Sequence, residues 1–503
     1  MSFRSRLVSA LLVLALAGVF VWTTFRDNTI GGKNESAGTS FFSDARKTLN
    51  LWYCDDTLTD YLNEVAVAWN DSGNTYRVEP RLVDGVEFLE SVNKASVAAD
   101  KNMPDIYILN DSSLGRAYEA GLASEITDGK DFSDDVVYPA AARNAVTYQG
   151  KIVAYPFYFE TAALLYNEDY LQGTDTSAGD AAAEESSNGE SVSAEESGSG
   201  ESTSAEGSGG GETAPAEESG GTSSDIDNAA VPKTIQDILR FADQYNAPEN
   251  VTSIFNWDVN DLFYNYYFMG NTMSVGGDCG DDESKIDIYN APTIQALQVY
   301  QKLGQFFSID TATSSYDQVL SDFAGGKSVF TVATTDAVQK LADWSADGTF
   351  QWHYGVAALP DITEDFATRG LSVTSCLVVN GYSENKDAAN LFVQFLLNEH
   401  NEDFSGRTGY RLARNGCKTE DSHWDGFYQA YTQSVPEPKM VATENFWMLA
   451  ENAMQQVWDG ADPNATLKSL YEQVEVQVTG NTSFKTDAIA DPEEVDIIPE
   501  TSD

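Results

Sequence analysis

Thr48-Leu49-Asn50-Leu51-Trp52-Tyr53 and Pro104-Asp105-Ile106-Tyr107-Ile108-Leu109 are the two stretches that decide the fold class. In the first, Leu49, Leu51 and Tyr53 alternate with other side chains at the period of a strand. The second is an unbroken apolar run behind Pro104-Asp105, the pattern of a strand buried on both faces of a parallel sheet. Residues 58–69 carry apolar side chains at helical spacing, residues 76–83 alternate again, and another helical stretch follows before Pro104. Strand, helix, strand, helix, strand predicts a parallel sheet with crossover helices.

Downstream, helical patterns cover residues 235–245, 293–307, 316–324, 388–398, 447–457 and 465–476, with short strands at 328–333, 354–359 and 372–380. The class is helix-rich α/β. Residues 173–228 interrupt it with Gly, Ser, Ala, Thr, Glu and Asp and no Lys, Arg or aromatic residue. No core forms from that composition, so an acidic disordered insertion is expected there, a loop expansion between two ordered elements. The polar, acidic residues 481–503 read as a disordered tail.

Upstream, Arg4 and Arg6 precede an uncharged apolar run at 7–25, about long enough to span a bilayer, and Asp27 follows it. The positive-inside rule keeps residues 1–6 cytoplasmic and places the rest outside the cell, behind a single-pass signal anchor and a stalk at 26–47. Ala15-Leu16-Ala17 offers a cleavage site, and hence a secreted product, as the alternative. No cysteine lies near the end of the run to carry a lipid.

A chain of 503 residues exceeds what one core supports, which implies two domains or two lobes. A formal net charge of −50 excludes nucleic acid as a partner, because phosphates would be repelled rather than neutralised. Cys54, Cys279, Cys376 and Cys417 leave three pairings open in an oxidising compartment. His353, His400 and His423 lack the spacing of zinc ligands, and no cofactor motif is present.

Seven landmarks, the second in two parts, then occur in order. After Leu49-Asn50-Leu51-Trp52, ending on Asp55-Asp56, come Met103-Pro104-Asp105-Ile106 and Ala120-Gly121-Leu122-Ala123-Ser124-Glu125-Ile126. Tyr148-Gln149-Gly150-Lys151-Ile152-Val153-Ala154-Tyr155-Pro156 leads into Glu160 and Leu165-Tyr166-Asn167-Glu168-Asp169. Val231-Pro232-Lys233-Thr234, Phe323-Ala324-Gly325-Gly326-Lys327, Gly355-Val356-Ala357-Ala358-Leu359-Pro360 and Phe446-Trp447 complete the series. In this order the chain resembles the extracellular sugar-binding proteins of ABC transporters, the maltose/maltodextrin-binding family, over about residues 48–480 apart from the insertion.

The resemblance implies a type II periplasmic-binding-protein fold: two α/β lobes, each a sheet flanked by helices, with the ligand in the cleft and closure by hinge bending. Lobe one is expected at 48–158 plus 375–422, and lobe two at 163–370 plus 428–480. A monomer is expected that binds a sugar or oligosaccharide, works with permease subunits and performs no chemistry. Carried over by position, Asp55, Asp56, Asn110, Asp111, Ser112 and Ser113 form lobe one's polar wall, and Glu160 at the crossover accepts from sugar hydroxyls. Lobe two contributes Trp257, Asp258 and Asp261, with Phe446 and Trp447 as a stacking platform; Asp336 also belongs to the candidate site. Such residues suit a sugar because carboxylates and amides pair with hydroxyls while flat rings cover C–H faces.

Departures from the family limit the ligand. Leu109 and Asp336 stand where the family's maltodextrin binder has tryptophans, and Glu451 where it has an arginine, which argues against linear maltodextrin. The carboxylates Asp56, Asp111, Asp258, Asp261 and Asp336 suit a more polar glycan or a cationic sugar if they converge. Each carboxylate alone also fits a solvated surface, and Trp257, Trp447 and Trp458 each fit a core. Tyr264, Tyr266 and Tyr267 resemble iron-binding clusters of related proteins, but their helical context favours core packing. Residues 278–283 are acidic without EF-hand spacing, so a solvated hairpin tip is expected. A membrane-tethered sensor or adhesin of the same fold, or a glycoside hydrolase using Glu160 with Asp56 or Asp336, are the rival functions.

Overall fold

The computed structural model describes residues 46–127, 135–171, 231–419 and 421–498. The expected anchor at 7–25, nearly all of the stalk and the acidic insertion lie outside the described residues. No described helix is long and apolar enough to cross a membrane.

The principal sheet runs Tyr76–Leu82, Lys47–Tyr53, Ile106–Asn110, Leu371–Val379, Tyr155–Asn167, Ser328–Thr334, Ser253–Asn256 in spatial order. Lys47–Tyr53 and Ile106–Asn110 pair parallel, Leu51 opposite Ile106, as the alternating elements predict. Two long strands make the architecture. Tyr155–Asn167, the crossover strand, pairs antiparallel with Leu371–Val379, the return strand, from Tyr155 to Thr161. From Ala162 to Tyr166 its partner is instead Ser328–Thr334, and Tyr354–Ala357 lies against its last residues. One continuous strand thus leaves the first lobe's sheet and enters the second's, and Glu160 lies just before the change of partner.

Two apolar cores form. The first gathers Leu49, Leu51, Val65, Ile106, Phe157 and Phe392; the second gathers Trp257, Tyr267, Phe268, Leu297, Tyr300 and Met454. They meet at the crossover strand, where Ala163 and Leu165 join the first core while Ala162 and Leu164 join the second, by the two-residue alternation of a strand. The first core therefore continues beyond lobe one, taking in Phe323, Ala337 and Phe350. Helix His423–Gln433, which sequence reading missed, also packs there through Trp424, Phe427 and Tyr431. Gly426 lets that helix approach: a Cβ there would lie 2.3 Å from the Val356 carbonyl oxygen.

The helices start where their sequences allow. Thr234 forms a capping box with Asp237 ahead of Ile235–Gln244. Asn290 caps Ala291–Phe307 and Asp462 caps Pro463–Thr479, both with proline in the first turn. Gly480 closes the last helix at φ +68°.

Two expectations fail here. The tail is ordered through residue 498: Ile497 is buried in the second core, Gln295 donates to the Glu493 carbonyl oxygen, and Lys302 pairs with Glu494. Apolar Val495 and Ile497, set among acidic neighbours, supply the anchor that composition alone hid. The acidic hairpin tip also is not merely solvated. Asp281 accepts from the Gln149 backbone N–H at 2.6 Å, and the Gly280 carbonyl accepts from the Lys439 N–H at 2.6 Å. All four cysteines are unpaired thiols.

Candidate functional site

The loops that follow the lobe-one strands enclose a hollow of about 820 Å³ that includes Asp55, Asn110, Ser112, Ser113, Tyr158 and Ser375 in its lining. Asp55 caps the turn after Lys47–Tyr53, accepting from the Thr57 N–H at 3.0 Å and its hydroxyl at 2.7 Å. Asn110 Oδ1 accepts from Ser375 Oγ at 3.1 Å. Asp56, one residue on, is exposed in the first turn of the helix beginning there.

Glu160 is exposed at the floor of the crossover, yet its carboxyl is pushed above the ordinary carboxylate range by desolvation first, then by Asp336 and Asp55. Access to solvent combined with flanking protein mass is what a cleft floor produces. The two flanking carboxylates follow strands on opposite sides of the crossover strand in the sheet. Asp336 lies in the turn between Ser328–Thr334, whose Thr334 pairs with Ala162, and helix Ala337–Ala346, near enough for its charge to bear on Glu160. On the other side Tyr158, two residues before Glu160 and so on its face of the strand, stacks on Tyr410 with centroids 4.4 Å apart. The Tyr410 hydroxyl is pushed up by burial first and then by the neighbouring Asp55 carboxylate.

Asp336 is firmly held. Its Oδ1 accepts from Tyr316 Oη at 2.6 Å and Thr334 Oγ1 at 2.5 Å, and Lys340 Nζ stands 3.0 Å from Oδ2. Tyr264 stacks against Tyr316 at 5.1 Å. Tyr158, Tyr316 and Tyr410 escaped the sequence reading because no motif surrounds them; register and ring stacking alone bring them to the site.

Three expected ligand contacts prove to be interior residues. Asp111 is fully buried: its Oδ1 accepts from the Thr374 N–H at 3.1 Å, and its Oδ2 has no hydrogen-bond partner. Burial pushes its carboxyl up to about 7 against the pull of Lys439, with Glu437 pushing the same way as burial. The reason is geometric, since Asp111 begins a 3-10 turn that directs it at the return strand while its neighbour Asn110 faces the hollow. Trp257 is wholly buried, stacked on Phe255 at 4.6 Å and edge-on to Trp458 at 5.6 Å, with its indole N–H donating to Asn265 Oδ1 at 2.8 Å. Phe446 is also core, and only Trp447 of the expected platform is half-buried. Tyr264, Tyr266 and Tyr267 pack in the second core, as their helical context predicts.

Asp258 and Asp261 build their loop. Asp258 accepts from the Asn260 N–H at 2.9 Å, and Asp261 caps the following helical turn through the Phe263 N–H at 2.8 Å. Both bear on Glu451, whose carboxyl is raised by burial and then by Asp261 and Asp258. Trp447 lies at a smaller hollow of about 130 Å³ with Ser112 and Ser113 opposite, beside an ion pair of 2.6 Å between Arg116 and Glu444. The structure thus puts Asp55, Asn110 and Ser112 in the lining of the larger hollow and Trp447 with Ser112 in that of the smaller, while Glu160 and Asp336 line neither and bear on one another. Asp111, Trp257 and Phe446 go to the interior, and Asp258 and Asp261 to a supporting loop.

Known proteins share this fold. The maltotriose-binding protein of Pyrococcus abyssi is 21% identical over 402 residues, 77% of this chain and 73% of its own length. The extracellular solute-binding protein of Staphylococcus aureus, solved in complex with maltose, superposes with a TM-score of 0.65 at 17% identity, covering 87% of this chain and 98% of that one. A cyclo/maltodextrin-binding protein complexed with maltotetraose gives 0.64 at 18% identity, over 90% of this chain and all of that one. The maltose-binding periplasmic protein of Listeria monocytogenes, in complex with maltose, gives 0.64 at 19%, over 87% and 100%. With the family pattern matched across residues 71–433, the chain belongs to the bacterial extracellular solute-binding proteins.

Proposed function

We propose that the chain is the extracytoplasmic substrate-binding component of an ABC importer, capturing a carbohydrate, an oligosaccharide, between its lobes and presenting it to the permease. The observation that carries this reading is the position of Glu160: on the strand that passes between the lobes, accessible, and flanked by a carboxylate from each. Acceptors there, the amide of Asn110, the hydroxyl of Ser112 and the half-buried Trp447 supply both halves of sugar recognition, hydroxyl pairing and ring coverage. Relatives named for maltotriose and maltose binding support a ligand of the same chemical class. Lobe one comprises 48–158 and 375–422, lobe two 163–370 and 428–480, and the protein works as a monomer held at the cell surface by residues 7–25.

The carboxylate-rich cleft departs from one made for linear maltodextrin. Leu109 is buried, Asp336 is locked by Tyr316, Thr334 and Lys340, and Glu451 sits among acids. A more polar glycan or a cationic sugar fits this wall better. A thermal-shift screen of the chain from residue 45 onward, against mono- and oligosaccharides with amino acids, polyamines and ferric iron as controls, tests the reading. A ligand that binds only the folded state raises the melting temperature. A shift with one glycan class supports it, and a shift only with a control overturns the carbohydrate assignment.

A further inference from the structure

The two hollows share a border. Ser112, Ser113 and Arg116 line both the larger one, with Asp55 and Asn110, and the smaller one, with Glu444 and Trp447. At about 820 Å³ the larger has the size of a small-ligand site. On the border stands the Arg116–Glu444 pair. Arg116 extends from helix Leu114–Glu119, whose Leu114 and Ala117 belong to the first core. Glu444 extends from the turn before helix Phe446–Trp458, whose Phe446 belongs to the second. The guanidinium is fixed at two points: Nη1 donates to Glu444 Oε1 at 2.6 Å and Nη2 to Ser113 Oγ at 3.1 Å. Both side chains nonetheless stay open, 44% exposed for Arg116 and 57% for Glu444. An ion pair so exposed adds little to stability; what it offers is a fixed polar surface between two hollows. Among the described residues Arg116 is the one cation lining the larger hollow. Lys439, at the smaller, is buried, with its ammonium spent on the Asn144 and Ala145 carbonyls.

We propose that the Arg116–Glu444 pair is a specificity-determining element of the site: it binds the sugar unit that passes from the larger hollow to the smaller, and so selects an oligosaccharide long enough to reach Trp447. The inference rests on the carbohydrate reading above. A sugar hydroxyl both donates and accepts. Arg116 keeps N–H donors beyond those given to Glu444 and Ser113, and Glu444 keeps Oε2 as an acceptor, so the pair sets donor and acceptor side by side for adjacent hydroxyls. Hydrogen bonds to it are charge-assisted and so stronger than neutral ones. The charges cancel within the pair, so a glycan covering it leaves no lone ion desolvated. Because Glu444 and Ser113 already hold the guanidinium, little side-chain freedom remains to be lost on binding. A short ligand can settle in the larger hollow against Asp55 and Asn110 without meeting Glu444, which lines only the smaller. A chain continuing to Trp447 passes both members of the pair.

Calorimetric titration of the glycan class found by thermal shift, taken as mono-, di-, tri- and tetrasaccharide, tests this on wild type, Arg116→Met and Glu444→Ala. Wild-type affinity is expected to rise with length. Each substitution should cut the affinity for the longest chain by about tenfold or more beyond its effect on the shortest ligand bound, the worth of a hydrogen bond to a charged group. The unfolding midpoint without ligand should be nearly kept, because the pair is exposed. Wild-type affinity that does not rise with length, unchanged binding in both variants, or a loss equal at every length overturns the inference and leaves the carbohydrate reading standing. An equal loss would mark the pair as a strut between the two elements it joins. Failure of every sugar to bind wild type defeats the carbohydrate reading instead. Should Arg116→Met lower the midpoint, Glu444→Ala, at the more exposed of the two positions, decides the matter alone.

Discussion

Asp111→Asn separates the electrostatics of the interior from those of the cleft. The Asp111 carboxyl is completely buried and is pushed up to about 7 from 3.8, chiefly by desolvation, even with Lys439 pulling it down. A carboxyl whose folded-state pKa exceeds its unfolded-state value favours folding while protonated. That contribution is complete below about pH 3.8 and drains away as pH rises to about 7, because unfolding releases a proton the native state retains. At 1.36 kcal/mol per unit, the loss between pH 5 and pH 7 integrates to about 2 kcal/mol. Asparagine cannot ionise and keeps the shape, so its acceptor can still meet the Thr374 N–H that now bonds Asp111 at 3.1 Å. The stability of the variant relative to wild type therefore improves by about 2 kcal/mol from pH 5 to pH 7. Urea unfolding at both pH values reads this as a change in the difference of midpoints at constant slope. Parallel pH profiles for the two proteins would mean that Asp111 is ionised throughout or solvated, and the account of this interior would be wrong.

The two tryptophans of the expected site should behave oppositely. Trp257→Ala empties a wholly buried position between Phe255 and Trp458 and should cost roughly 3–5 kcal/mol in urea unfolding; a loss of sugar affinity at unchanged stability would return Trp257 to the cleft. Trp447→Ala should reduce sugar affinity about tenfold in calorimetry, the worth of one ring face, with the unfolding midpoint nearly kept; a collapse of the ligand-free fold would mark it as core. Gly115→Ala should destabilise by more than about 1–3 kcal/mol, since the added Cβ would lie 2.1 Å from the Lys439 carbonyl oxygen, a backbone atom that cannot swing aside. A stable Gly115→Ala protein would show that residues 435–440 do not press on helix Leu114–Glu119.

Periodicity made most of the elements legible. The helical pattern at 316–324 coincides with helix Tyr316–Ala324, and that at 293–307 lengthens by two residues to Ala291–Phe307, because Asn290 and the proline set its start upstream of the first apolar residue. Helix His423–Gln433 was missed: its Gly426 and short polar interruptions blur the pattern, and the close approach that Gly426 permits shows only in three dimensions. Side-chain direction was the harder matter. Asn110 and Asp111 are adjacent, both polar and both in the loop after the same strand, yet one faces a hollow and the other the interior. Trp257 and Trp447 are equally apolar on paper. What divides them is whether Phe255 and Trp458 close over the ring, a fact of packing between residues 200 apart in the chain.

The cleft illustrates why single residues mislead and registers do not. Taken alone, Asp55, Glu160 and Asp336 are three of the 79 acidic residues in a chain of net charge −50, and each passes for solvated surface. Their meaning comes from strand pairing. Thr334, opposite Ala162, holds Asp336 through its hydroxyl on one side of Glu160, while Tyr158, two residues before Glu160, shares a hollow with Asp55 on the other. Hinge motion that left both pairings intact would change the spacing between Asp55 and Asp336, which extend from opposite halves of the sheet, while Glu160 stays on the strand between them. Mutual repulsion then opposes closure of an empty cleft, and a ligand that replaces it with hydroxyl contacts removes the opposition. The same charges that look like surface acidity in the sequence thereby become a reason for the lobes to close on ligand rather than on water.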